Sequence, residues 1–252
     1  MPNTTSSSSS FDARYTRRVV EAHSLYSTHL QEERTIKVCL PPGYDSTRNY
    51  PVVYCQDGNE FFTHGRIATI SNQMVAEGRL DPLLIVGIAV NRAHRTEDYA
   101  VGGARSEAYR QFVANECVPY VESQYRVDAG RRILAGVSLG AAASLNLALS
   151  DTASFPWLLL FSGAFYPEAQ SAARFSTSLS DLSCYMIVGR QETKLETDTG
   201  THNFHRLSEQ MRDILIAGGA DVSYHEGDGE HLWGFWQAHL PDALEFVQSH
   251  VK

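Results

Sequence analysis

Cysteine is scarce in this sequence and follows no pattern. The four cysteines, Cys39, Cys55, Cys117 and Cys184, form no CxxC pair and no spacing that would hold a metal. They fall within apolar strand-like or helix-like runs. They therefore read as small buried hydrophobes with free thiols, as in a reducing compartment. Long hydrophobic runs are missing too, since no stretch reaches the roughly 18 apolar residues that a membrane span needs. The first ten residues lack both the positive segment and the apolar core of a secretory signal. A cytoplasmic protein is the expectation. Positive charge is sparse, with 21 Lys+Arg against 29 Asp+Glu and a net charge of −8, and no basic patch points to nucleic acid. There is no internal repeat, and no linker-like stretch beyond the serines at Ser6–Ser10. Residues 1–12 read as a disordered serine-rich tail and 13–252 as a single domain.

What is present is a chain that is 43% hydrophobic and only 20% charged, enough to bury a sizeable core. Arg34–Leu40 alternates charged and apolar residues at period two, and Pro41, Pro42 and Gly43 stop it, as for a half-buried strand. Pro51–Cys55 and Leu83–Val90 are continuous apolar runs, the pattern of parallel strands covered on both faces. Further strands are expected at Arg131–Ala135, Trp157–Ser162, Cys184–Gly189 and Val222–His225. Tyr109, Phe112, Val113 and Cys117 share one helical face before Pro119. Phe204, Leu207, Met211, Ile214 and Leu215 share another before Gly218 and Gly219, and Leu232–Val251 reads as a closing helix. This alternation predicts an α/β fold, a mostly parallel central sheet with helices on both faces. Sites in such sheets form at the carboxyl ends of strands.

Gly136-Val137-Ser138-Leu139-Gly140 is a GxSxG pentapeptide. The apolar run Ile133-Leu134-Ala135 precedes it and the helix-forming run Ala141–Leu145 follows, which is the strand–turn–helix setting of a nucleophile elbow. A Cβ at either glycine would clash in so tight a turn. Ser138 is the candidate nucleophile, and the Leu139 amide, at the start of the helix, is the natural first oxyanion donor. A serine hydroxyl needs a base, and in this arrangement the order along the chain is Ser, then Asp/Glu, then His. Of ten histidines, four precede the serine and four others fall at the start of a helix or inside one. His225 ends a strand, whereas His231 ends the loop between the last strand and the last helix and is the better-placed base. The acid should follow the strand Cys184–Gly189. Glu192 is the first carboxylate there, with Glu196 and Asp198 as rivals in the same loop.

Several ordered segments carry a resemblance. They are Arg34–Tyr44, Tyr50–Tyr54, Gln56-Asp57-Gly58, Arg95–Tyr99, Gly136–Gly140, Val188–Glu192 and Gly229-Glu230-His231-Leu232-Trp233 through Trp236. Together they resemble the putative-esterase family of α/β-hydrolases, which includes esterase D, feruloyl esterases and the enterochelin and bacillibactin esterases. The resemblance spans nearly the whole chain after the tail. It implies that the Asn59 amide is the second oxyanion donor. The chain departs from the family at three places: Asp57-Gly58 replaces a common His-Gly, Glu192 replaces a common Asp, and Glu230 replaces the second glycine before the histidine. The Asp-Gly form is similar to the siderophore-esterase branch. Tyr166, Trp233, Phe235 and Trp236 are candidates for an aromatic substrate pocket, against the blander role of core residues. Arg95 either orients an anionic or catechol group or makes a structural ion pair.

The expectation is a serine carboxylic-ester hydrolase that works through an acyl-enzyme, on siderophore trilactones or other aryl esters. It would need neither metal nor organic cofactor, and its partner would be a small-molecule ester. Two other readings stay open: an S-formylglutathione hydrolase or general thioesterase with the same site, and a non-catalytic binding module on a hydrolase fold.

Overall fold

Strands form where apolar side chains are demanded on both faces. The computed structural model describes residues 18–251, so the tail expected over residues 1–12 lies outside the described residues. In chain order the strands are β1 (Val19–Ser27), β2 (Glu32–Leu40), β3 (Tyr50–Cys55), β4 (Leu84–Ile88), β5 (Val127–Val137), β6 (Trp157–Phe161), β7 (Ser183–Gly189), β8 (Leu195–Thr197), β9 (Gly200–His202) and β10 (Asp221–Gly227). Eight of them form one sheet in the order β1-β2-β4-β3-β5-β6-β7-β10. The pairs β1–β2 and β2–β4 are antiparallel, and every later pair is parallel. β8 and β9 make a separate antiparallel hairpin.

Nine α-helices are present among the described residues: α1 (Gly58–Thr63), α2 (Ile67–Ala76), α3 (Arg95–Tyr99), α4 (Ser106–Phe112), α5 (Val118–Gln124), α6 (Leu139–Ser150), α7 (Pro167–Phe175), α8 (Phe204–Ala217) and α9 (Trp233–His250). They cover both faces of the sheet, and the strands feed the two resulting cores alternately. Val52, Leu134, Leu158 and Met186 enter the core that also holds residues of α6 and α8. Their neighbours Val53, Ile133, Leu159 and Tyr185 enter the core that holds residues of α2 and α9. A period of two on strands buried on both sides is why these runs contain no polar positions.

Two expectations are modified. Pro119 does not end its helical run. A π-helical turn at Val113–Cys117 leads directly into α5 with helical backbone at the junction, and Pro119 follows that wider turn without breaking the run. β1 was not expected. It is an edge strand, exposed along most of its length, so no apolar pattern marks it. The four cysteines are free and buried, as expected. Burial pushes their thiols up, Cys39 to about 11 and Cys184 to about 12. No helix among the described residues is long and apolar enough to cross a membrane.

Candidate active site

The position of Ser138 is built by a local conflict. β5 ends at Val137 and α6 begins at Leu139, so Ser138 alone must turn the chain, and it does so at φ 55°, ψ −123°. Such a backbone is unfavourable for a residue with a Cβ and persists only where its surroundings hold it. Here the turn after β6 supplies the hold. The Ser138 N–H donates to Phe161 O (2.9 Å), and the Ala164 N–H donates to Ser138 O (2.9 Å). A Cβ on Gly136 would lie 2.2 Å from Gly140 O, so the first turn of α6 can sit against β5 only with glycine there. Ala141, Ala142 and Ala143 continue that close contact and are buried.

Glu192 and His231 come together because two loops at the sheet edge pair with each other. The Arg190 N–H donates to Gly227 O (2.9 Å), and the Gln191 N–H to Gly229 O (3.2 Å). The approach is so close that a Cβ on Gly189 would lie 2.2 Å from Gly229 O. Across this junction His231 Nδ1 lies 2.6 Å from Glu192 Oε2. Glu192 is 2% exposed, and its other oxygen accepts from the Gly189 N–H (2.8 Å) and the Ser162 hydroxyl (2.7 Å). The rivals do not meet the histidine. Glu196 is exposed and accepts from Thr201 Oγ1, and Asp198 is exposed at the tip of the β8–β9 hairpin. His225 is exposed and bonds to Ser223 Oγ. Glu230 is exposed.

Two cavities meet at Ser138. The larger, about 600 Å³, is lined by Leu139, Tyr166, Phe204, and Thr197, Asp198 and His202 of the hairpin region. The smaller, about 370 Å³, holds His231 together with Glu60, Arg92, Trp233 and Trp236. Arg95 borders both. The aromatic residues thus line two separate spaces rather than one pocket. Phe235 lines neither, because its ring is packed into the core against Gly227 and Gly229. Trp236 borders the smaller cavity but is only 5% exposed. Its ring stands edge-on to His231, centroids 4.9 Å apart.

Arg95 forms a two-pronged pair with Asp57 (Nε–Oδ1 and Nη2–Oδ2, both 2.8 Å). It therefore makes a structural ion pair, with Asp57 as partner, as well as a cavity wall. Burial opposes the Arg95 charge, but the Asp57 carboxylate more than offsets it and holds the guanidinium above its ordinary value. Asp57 is itself left-handed (φ 52°) at the start of α1, and its N–H donates to the Tyr99 hydroxyl (3.0 Å). This clamp fixes the turn that presents Asn59. Neither the Leu139 nor the Asn59 N–H donates to a backbone or side-chain acceptor among the described residues. The residue that sequence reasoning missed is Ser162. No motif marks it, although it is buried and left-handed at φ 45°.

The family model described as Putative esterase matches residues 27–247. Uncharacterized protein YjcH of Bacillus subtilis (strain 168) is 29% identical over 231 residues, which are 90% of this chain and 96% of that protein. Among solved structures, a ferulic acid esterase superposes with a TM-score of 0.77 at 19% identity, covering 92% of this chain and 99% of its own. The enterobactin esterase FES from Shigella flexneri superposes with a TM-score of 0.79 at 18% identity. It covers 93% of this chain, which spans 60% of that protein. These structures share the α/β-hydrolase fold with the present chain.

Proposed function

The chain belongs to the Putative esterase family of carboxylic-ester hydrolases, and on that premise we propose that it works as a serine esterase through an acyl-enzyme. The observation that carries this reading is the buried Glu192–His231 bond at 2.6 Å beside a left-handed Ser138 on the same cavity. Ser138 attacks the ester carbonyl while His231 takes its proton, and Glu192 holds the imidazole and offsets its charge once protonated. The amides of Leu139 and Asn59 receive the developing oxyanion. His231 then gives its proton to the leaving oxygen, and water frees the acid by the same steps reversed.

The two cavities divide the substrate. The leaving oxygen must reach His231, so the alcohol part occupies the smaller, charged cavity and the acyl part the larger one. Tyr166 and Phe204 line the latter, 6.3 Å apart edge to face, and favour a flat aromatic acyl group. An ester of an aromatic acid is the substrate class proposed, in line with the ferulic acid named for one structural neighbour.

Labelling by a fluorophosphonate probe, blocked by Ser138→Ala, tests the nucleophile. A screen of p-nitrophenyl esters, S-formylglutathione, feruloyl esters and a catecholate trilactone tests the substrate. Highest kcat/KM on the feruloyl ester or the catecholate trilactone supports the proposal. A preference for S-formylglutathione or a long aliphatic ester replaces it, and absence of both labelling and turnover leaves a binding module.

A further inference from the structure

We propose that Trp236, acting through Ser162, sets the direction of the hydrogen bonds that run through Glu192 to His231. Both are positioning residues for the triad proposed above, and the inference rests on that reading. An indole N–H can only donate. Trp236 Nε1 donates to Ser162 Oγ at 2.8 Å, so the single hydroxyl hydrogen of Ser162 is left to point at Glu192 Oε1, 2.7 Å away. The Gly189 N–H donates to the same oxygen at 2.8 Å. Two donors on Oε1 favour the ionised carboxylate, because only that form accepts at every position. Oε2 then accepts a hydrogen from His231 Nδ1, which leaves Nε2 bare to take the Ser138 proton.

The backbone shows how this is built. Ser162 is fully buried in the left-handed region, immediately after β6, and its N–H donates to Ile187 O (2.7 Å) in β7. The same short turn holds Ser138 through Phe161 O and the Ala164 N–H. One turn thus grips the nucleophile by its backbone and the acid by a side chain. The indole adds a second contact, its ring standing edge-on to His231.

The test uses Ser162→Ala and Trp236→Phe, assayed on p-nitrophenyl acetate across pH, with the His231 Nδ1–H proton resonance followed by NMR. Loss of the Ser162 donor concentrates charge on the carboxylate and strengthens its hold on the imidazolium. The acidic limb of kcat/KM should therefore move to higher pH, with kcat down roughly tenfold or more and KM within about twofold. The charged groups bordering His231 in its cavity, Asp57, Glu60, Arg92 and Arg95, are unchanged in these variants. The neighbouring Arg190 pairs with Glu226 and Asp228, and His205, whose N–H donates to Glu192 O, are unchanged too. A moved limb therefore reports on Glu192.

The double variant should be no worse than Ser162→Ala alone, since the indole acts through the hydroxyl. Additive losses would mean separate packing roles and overturn the proposal. So would an unmoved limb and an unchanged resonance in Ser162→Ala. If that variant fails to fold, Trp236→Phe must move the limb and the resonance by itself, and no movement overturns the idea. Absence of wild-type turnover would sink the esterase reading, whereas the resonance, recorded without substrate, still decides this one.

Discussion

The two ends of the sheet are made of the same strands but differ in what they tolerate. At the carboxyl end, the turns after β3, β5 and β6 each contain a non-glycine residue in the left-handed region: Asp57, Ser138 and Ser162. Each is at least partly withdrawn from water and tied by named hydrogen bonds. At the amino end, around the starts of β3 and β4, the connections are held by exposed pairs such as Arg79–Glu245 and Asp81–Gln248. The left-handed residues withdrawn from water thus gather at the candidate site, whereas Gln31 and Arg66, also left-handed, are exposed, and the amino end is fastened by contacts that can be lost. Unfavourable backbone geometry with over-determined support is a marker of chemistry here, and ordinary geometry with loose support marks scaffold.

This contrast breaks if substitutions at the carboxyl end prove mild. The largest effect is expected for Ser138→Ala, a loss of about 10⁴-fold in kcat/KM. A variant that kept more than roughly a tenth of wild-type activity would remove Ser138 from its role. His231→Ala should be nearly as damaging and should abolish the rise of activity with pH, since an imidazole must be neutral to take the serine proton. The exposed His225→Ala is the control and should match wild type. Next comes Glu192→Gln, expected to cost roughly 10²-fold or more in kcat. Glu196→Gln and Asp198→Asn should leave kcat near wild type, and a defect in Asp198→Asn alone would move the acid to the hairpin. Gly136→Ala should act on folding instead, because the new methyl meets Gly140 O, with about 1–3 kcal/mol lost in a denaturant titration. The smallest effect belongs to the opposite end, where Glu245→Ala should leave Tm and kcat close to wild type. A large change there would erase the contrast.

Legibility followed the same division. The elbow at Ser138 was readable because its demand is local, a strand, one residue and a helix. The proximity of Glu192 and His231 was readable by counting from strand ends, since a parallel sheet puts those ends on one side. Ser162 was not, because its partners are 30 and 74 residues away and a serine after a strand carries no pattern. The aromatic residues were readable as near the site, but their division between two cavities depends on where Ser138 projects. Phe235 belongs to the core because Gly227 and Gly229 leave its ring a space. β1 lacked a signal since water covers most of it, and the three-residue strands β8 and β9 are too short to show a period.

The β8–β9 hairpin pairs only with itself, yet contributes to the wall of the larger cavity. It follows Glu192 and precedes α8, and the His205 backbone N–H in the first turn of α8 donates to Glu192 O, which closes the insert at its base. For an engineer, that makes it a cassette. If the larger cavity takes the acyl group as proposed, exchanging the segment from Leu195 to His202 should reshape acyl selectivity while Ser138, Glu192 and His231 stay in place.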